Sequence, residues 1–160
     1  MKSENFIGDA SDAISQHVLP QLHGRKLIKA LSFLPEKNRV TEIFIDYIGQ
    51  IIKFLEEDPK NKWTWTVLNY SCKTEENIIE AVGQGVVDLL ANTLIDLHLK
   101  PTNYSDEIAI VCCKIISVCT SLIKKAANAF AKYGIHVDVL IPLIKEIIGE
   151  KKPTKNINVL

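Results

Sequence analysis

The sequence predicts an all-α protein in which a unit of three short helices recurs along the chain. Residues 65–90 show one such unit most clearly. A first helix over residues 65–71 ends in polar residues, and Thr74, followed by two glutamates, is suited to cap the N-terminus of a second helix. The second helix runs to Gly83, and a third helix begins at Val86. Leucines at helical spacing give this third helix an apolar side: Leu89, Leu90, Leu94 and Leu97.

The recurrence of the unit is measured from three glycines, Gly49, Gly83 and Gly134. Seven positions relative to these glycines are apolar or aromatic in all three copies: those eighteen, fifteen, five, four and one residues before and those three and six residues after. The position eighteen residues before, for example, holds Leu31, Trp65 and Ile116. One unit cannot bury its apolar faces alone, so the copies are expected to stack and share a continuous core.

Each of these glycines is predicted to end the second helix of its unit. A left-handed backbone position there would let the third helix leave at a sharp angle, and glycine adopts that conformation without steric cost. The last two glycines are farther apart than the first two, because the third helix of the middle unit continues to Lys100. A loop over residues 101–105 follows, with Ser105 as the predicted cap of the next helix.

The length fits one domain with its own core, preceded by a short capping element. Residues 1–24 are predicted to form an N-terminal capping helix, centred on residues 10–19 and broken by Pro20, with an incomplete first repeat as the alternative. Residues 151–160 are expected to form a polar tail. Between them lies the repeat domain, residues 25–150, with units at about 25–59, 62–100 and 105–150.

This order of helices and glycines resembles the armadillo repeat, and the resemblance covers roughly residues 25–150. A HEAT-like or irregular α-α superhelix is the alternative, because the glycines are unevenly spaced. The resemblance implies an armadillo-like superhelix of about three repeats, whose third helices line a groove that binds extended peptides or partner domains. Carried over by position, the expected partner-binding residues are Lys53 and Glu56 in the first repeat, Asp88, Asn92 and Asp96 in the second, and Asp138 and Lys145 in the third.

The resemblance also limits the kind of partner. Nuclear-import adaptors of this family carry a tryptophan and an asparagine one turn apart on the third helix. Here Asn92 has no such tryptophan, so a receptor for nuclear-localisation signals is not expected. Three repeats give a short groove, and the chain is therefore expected to bind through its ends, to form a homodimer or to serve as a small subunit of a larger assembly.

The two tryptophans of the chain, Trp63 and Trp65, are two residues apart and cannot share one helical face. The recurring pattern assigns Trp65 to the core and leaves Trp63 at the surface. An exposed tryptophan is a candidate partner-binding residue. The alternative is that Trp63 packs across the preceding loop, residues 58–62, as a hydrophobic staple.

The composition limits the classes of partner and the cellular compartments that we expect for this protein. Nineteen basic residues balance nineteen acidic ones and form no basic run, so a nucleic-acid partner is not expected. The first residues lack the basic and apolar blocks of a signal peptide, and no apolar run is long enough to span a bilayer. We therefore expect a cytoplasmic protein, with the nucleus as the alternative location.

No motif predicts a catalytic residue, a cofactor or a metal. The four cysteines form no CxxC pair, and no two histidines have the spacing of metal ligands. Cys112 and Cys119 are seven residues apart on one helical face, which indicates core packing. The adjacent carboxylates at residues 56–57, 75–76 and 106–107 fall at predicted helix ends, where acids interact with the helix dipole or solvent.

The sequence therefore predicts a protein-interaction module or a small adaptor or scaffold subunit. The alternative is a compact helical bundle that encloses a small apolar ligand or lipid, with the apolar residues 108–118 as its lining. A third class, an enzyme, would require catalytic side chains brought together from separate units.

Overall fold

A computed structural model of the chain describes residues 17–33 and 41–134. Within these two segments 83% of the residues are helical, no strand is present and eight α-helices follow one another, so the all-α prediction is confirmed. The helices are α1 (Gly24–Phe33), α2 (Thr41–Ile45), α3 (Ile48–Glu57), α4 (Lys62–Ser71), α5 (Glu75–Gly83), α6 (Val86–Leu99), α7 (Asp106–Leu122) and α8 (Lys124–Lys132). Short 3-10 turns occupy Leu19–Gln21 and Pro101–Asn103.

Side-chain caps begin two of the central helices. Asn61 Oδ1 accepts a hydrogen bond from the backbone N–H of Thr64 at 3.1 Å and caps α4. Thr74 Oγ1 accepts one from the backbone N–H of Asn77 at 3.4 Å and caps α5, as the sequence predicts. Ser105 occupies the N-cap position of α7, but its side chain makes no capping bond, and two acids in the first turn of that helix face the positive end of its dipole instead.

The glycine prediction is correct in part: Gly83 ends the second helix of its unit as predicted, but of the three glycines only Gly134 is left-handed. Gly134 follows α8 with a φ of 65° and is left-handed, as predicted. Gly83 is the last residue of α5, and the left-handed residue is Gly85, with a φ of 92°, where the chain bends by 73° into α6. Gly49 lies inside α3. The second helix of the first unit, α2, already ends at Ile45, and the turn after it contains no left-handed residue.

Gly49 has a different structural role. A side chain built at this position would place its Cβ atom 3.1 Å from Oε1 of Gln84, in the turn between α5 and α6. The start of α3 therefore approaches that turn more closely than a larger residue would allow without displacing Gln84.

The core is one continuous apolar cluster that extends from Leu19 to Phe130. Trp65 and Phe44 are its largest fully buried side chains. The described residues at the positions eighteen and fifteen before each glycine, and three and six after it, are all buried: Leu31, Ile52, Leu55, Trp65, Leu68, Val86, Leu89, Ile116 and Cys119. These positions belong to the first and third helices of the units and contribute to the shared core.

The positions four and one before each glycine follow the prediction less well. Ile79 is 55% exposed, because α5 buries its apolar residues Ile78 and Ala81 and leaves Ile79 on another side of the helix. Tyr133 is 41% exposed and lies in the turn after α8.

The helices pack in a regular order along the chain. Among the closely packed pairs, each member lies at most three places from the other in chain order: α1 packs on α4, α2 on α5, α3 on α6 and α4 on α7. α3 also contacts α4 and α5, and α6 likewise contacts α7 and α8. α5 and α8 are not a closely packed pair. The third helices α3 and α6 are therefore neighbours.

Several predictions concern residues outside the described segments. They are most of the capping helix over residues 10–19, the third helix of the last unit with Asp138 and Lys145, and the tail at 151–160. At the N-terminal edge of the described part, Leu19 is fully buried against the core. No single described helix has the length and apolar character to cross a membrane; only α5 and α6 taken together, with the bend between them, reach that length and composition.

Candidate partner-binding grooves

A concave surface of about 340 Å³ lies where α3 packs against α6, and we call it the α3/α6 groove. Four of the predicted partner-binding residues line it: Glu56, Asp88, Asn92 and Asp96. Leu55, Leu89 and Thr93 form its buried floor. Lys53 is exposed on α3 one turn before Glu56 and does not line the groove. The structure thus brings together most of the described residues that were predicted from the third helices.

The groove is acidic, with carboxylates contributed by both helices. At one end, Tyr104 donates a hydrogen bond to Asp96 Oδ2 at 2.8 Å, and Lys100 Nζ lies 3.3 Å from Asp96 Oδ1. The tyrosine hydrogen bond, together with Lys100, holds the pKa of Asp96 below its ordinary value, so this carboxylate stays ionised. Burial and the neighbouring Asp96 raise the pKa of Tyr104 to about 12.

A second tyrosine, in the turn that follows α8, contacts a residue of the groove. The Tyr133 hydroxyl donates a short hydrogen bond to Asp88 Oδ1, across 45 residues of sequence. This bond raises the pKa of Tyr133, because removing its proton would place a negative charge beside the carboxylate. Sequence reasoning missed both tyrosine contacts and placed Tyr133 in the core. An amphipathic ring with a polar tip fits either setting, so spacing alone could not distinguish them.

Trp63 lies in a different place from the other predicted residues. It is 64% exposed and lines a second concave surface of about 570 Å³, which we call the α1/α4 groove. Trp65 is fully buried, and its Nε1 donates a hydrogen bond to the carbonyl of Pro59 at 2.8 Å. The prediction that one tryptophan belongs to the core and the other to the surface is confirmed.

The α1/α4 groove is mainly aromatic and basic. Its lining includes Arg25, Ile28, Lys29, Phe33, Phe54 and Trp63. None of the described residues that line it is a carboxylate. The sequence analysis identified only the tryptophan of this set. Arg25, Lys29 and Phe33 gave no signal, because a helix with polar and apolar residues on its outer face is ordinary.

The cysteines occupy the core, as predicted for Cys112 and Cys119. Cys72, Cys112 and Cys119 are buried and Cys113 is half-buried, and all four are free thiols. Burial raises the pKa of Cys72 to about 12 and that of Cys119 to about 11, which keeps them protonated near neutral pH. Residues 17–33 and 41–134 contain no group of three His, Cys, Asp or Glu side chains placed to hold a metal ion.

Comparison of the chain with models of protein families, with curated proteins and with solved structures found no match in any of the three. What the described residues define is an all-α protein of eight helices. Its surface carries an acidic groove between α3 and α6 and a basic, aromatic groove between α1 and α4.

Proposed function

We propose that this protein is a protein-interaction module, or a small adaptor or scaffold subunit, that binds a segment of a protein partner in the α3/α6 groove. The observation that carries the proposal is the convergence of Glu56, Asp88, Asn92 and Asp96 on one groove. These residues come from two helices of different units. Polar side chains arranged along a concave surface above an apolar floor suit the recognition of an extended chain.

The architecture proposed behind this groove is an armadillo-like superhelix of about three repeats. In such a solenoid each repeat contacts only its neighbours, and equivalent helices stack on one another. The packing of α1 on α4, α2 on α5, α3 on α6 and α4 on α7 supports this arrangement. It would make α1–α3 the first repeat, α4–α6 the second, and α7 with α8 the start of the third.

The charge of the groove favours a particular kind of segment. Three carboxylates face it, and two of them already accept hydrogen bonds from tyrosines. Glu56 and Asn92 are exposed and lie on opposing helices. A bound segment is therefore expected to present positive side chains or backbone N–H groups to Glu56 and Asn92.

The alternative function, enclosure of a small apolar ligand or lipid along α7, has less support. Ile108, Cys112, Ile115 and Ile116 are buried in the common core of the protein. Neither of the two grooves is lined by a residue of α7. The apolar character of this helix is accounted for by its packing against α4, α6 and α8.

The test is capture of a partner from native extract by the tagged chain, compared with two variants of matched size. Asn92→Arg fills the α3/α6 groove without removing a tyrosine contact. Ser117→Arg adds the same bulk at an exposed site on α7 and serves as the control. We expect the wild type and Ser117→Arg to retain one partner at a fixed ratio and Asn92→Arg to lose it. Equal capture by both variants, or none by the wild type, would contradict the proposal.

A further inference from the structure

The α1/α4 groove holds large apolar side chains that are unusually exposed. Phe33 is 74% exposed and Trp63 is 64% exposed, although both are large aromatic residues. Both line the same groove, which is deepened by the half-buried Phe54 of α3. Large exposed aromatics that share one concave surface are typical of a binding site rather than of isolated surface variation.

Three residues of α1 that line the groove lie on the side of the helix opposite to its core residues Leu27 and Leu31. Arg25, Lys29 and Phe33 are spaced four residues apart and therefore form one stripe along α1. The core-facing side of the same helix carries Leu27 and Leu31, each 1% exposed. α1 is thus packed against the protein on one side and presents a basic and aromatic stripe to the groove on the other.

Among the residues that the structure describes, the groove is lined by two cations, Arg25 and Lys29, and by no carboxylate. Arg25 and Lys29 are exposed on its α1 wall. Lys62, at its edge, is already engaged, since its Nζ lies 3.1 Å from Glu107 Oε2 and 5.5 Å from the centroid of the Trp63 ring. Arg25 and Lys29 form no ion pair with another described residue and can therefore contact a ligand in the groove.

We propose that the α1/α4 groove is a second docking surface, which binds an acidic segment of a partner protein. An apolar side chain of that segment would lie between Phe33 and Trp63, and its carboxylates would lie beside Arg25 and Lys29. The two cations are one helical turn apart, so carboxylates from two different residues match them better than the single head group of a fatty acid. This proposal does not depend on the α3/α6 groove, whose charge is opposite.

The test uses the fluorescence of Trp63, because Trp65 is fully buried and responds little to a ligand at the surface. The probe is a short synthetic peptide in which Leu and Phe alternate with Asp and Glu, and its control has Lys in place of every acid. We expect the acidic peptide alone to give a saturable shift of the emission to shorter wavelength. Added salt is expected to weaken its binding.

Exchanging the charges of Arg25 and Lys29 then tests whether these two residues bind the carboxylates of the peptide. The double variant Arg25→Glu with Lys29→Glu is expected to bind the acidic peptide about tenfold more weakly or worse and to gain affinity for the lysine peptide. The double variant Lys114→Glu with Lys125→Glu, at exposed lysines on α7 and α8 that line neither groove, makes the same change of charge and should leave both affinities unchanged. Circular dichroism of each variant verifies that the fold is retained.

The other outcomes would overturn the proposal. Equal affinity for the two peptides, or binding unaffected by the charge exchange, would show that charge does not select the ligand. Trp63 shielded from acrylamide in the free chain would show that the groove is already covered, by the chain itself if light scattering finds a monomer and by a second copy if it finds a dimer. Binding of a fatty acid or anionic vesicles without binding of the acidic peptide would assign the groove to lipid.

Discussion

Replacing Trp65 should lower the free energy of unfolding far more than replacing Trp63, although the two residues lie within one helical turn. Trp65 is fully buried, and a buried tryptophan removes about 150–250 Å² from water. At about 25 cal/mol per Å², this burial contributes about 4–6 kcal/mol. Trp65→Ala also leaves the Pro59 carbonyl without its hydrogen bond, which costs about 1 kcal/mol. Some relaxation of the site is expected, so the free energy of unfolding should fall by about 4–5 kcal/mol.

Trp63 provides the control, because it is the same residue type in the same helix. Trp63→Ala removes a 64% exposed ring and one contact with Lys62, so its effect should be no more than about 1 kcal/mol. Trp65→Phe keeps an aromatic ring but loses the indole N–H, and should cost about 2 kcal/mol.

Urea unfolding followed by far-ultraviolet circular dichroism measures all three variants on the same helical signal. Single small domains have about 5–15 kcal/mol of stability, so Trp65→Ala should remove a large share of it and lower the urea concentration at the midpoint of unfolding. The reasoning would be refuted if Trp63→Ala were as destabilising as Trp65→Ala, or if Trp65→Phe left the free energy of unfolding unchanged.

Two other sites allow similar comparisons. Gly85→Ala should cost about 1–2 kcal/mol because Gly85 is left-handed, whereas Gly83→Ala, at a right-handed position with open space around it, should change stability by less than about 1 kcal/mol. Thermal unfolding compares the two variants, and equal effects would contradict the assigned backbone geometry. Burial raises the pKa of the Cys72 thiol from 9.0 to about 12 and that of Cys119 to about 11, so the folded chain keeps protons that the unfolded chain releases. Stability should therefore be unaffected by these thiols below pH 9.0 and fall above it, by about 1.4 kcal/mol per pH unit for each thiol. Urea unfolding at stepped pH measures this slope, and Cys72→Ala should reduce it; an unchanged slope would contradict the assignment.

The sequence predicted burial best at positions where an apolar residue has only one physical explanation. Leu31, Trp65 and Ile116 recur at the same distance before a glycine and are all buried, because an apolar residue on the inner side of a first helix has only the core to pack against. Gly49 was predicted wrongly because glycine is required for two different reasons. A left-handed backbone explains Gly85, whereas close approach of Gln84 explains Gly49, and composition and spacing do not distinguish them.

The two grooves differ in how far the sequence could reveal them. The convergence of Glu56 and Asn92 follows from assigning both to the outward faces of two third helices that stack on each other, so a repeated pattern was enough to predict it. The α1/α4 groove depends on which side of α1 the neighbouring helices leave uncovered. Arg25 and Phe33 become neighbours of Trp63 only because α1 packs against α4. The spacing of apolar residues along the sequence does not predict that contact.

The order of helix contacts also bears on how the chain acquires its structure during synthesis. Among the described helices, the closely packed partners lie within three places of each other in chain order. Each described helix therefore meets its upstream partners as it leaves the ribosome, and its downstream partners follow within the next three helices. Contacts that are local in sequence close small loops and form quickly. The α4 helix contacts α1, α2 and α3 and can pack against all three before α7 is made.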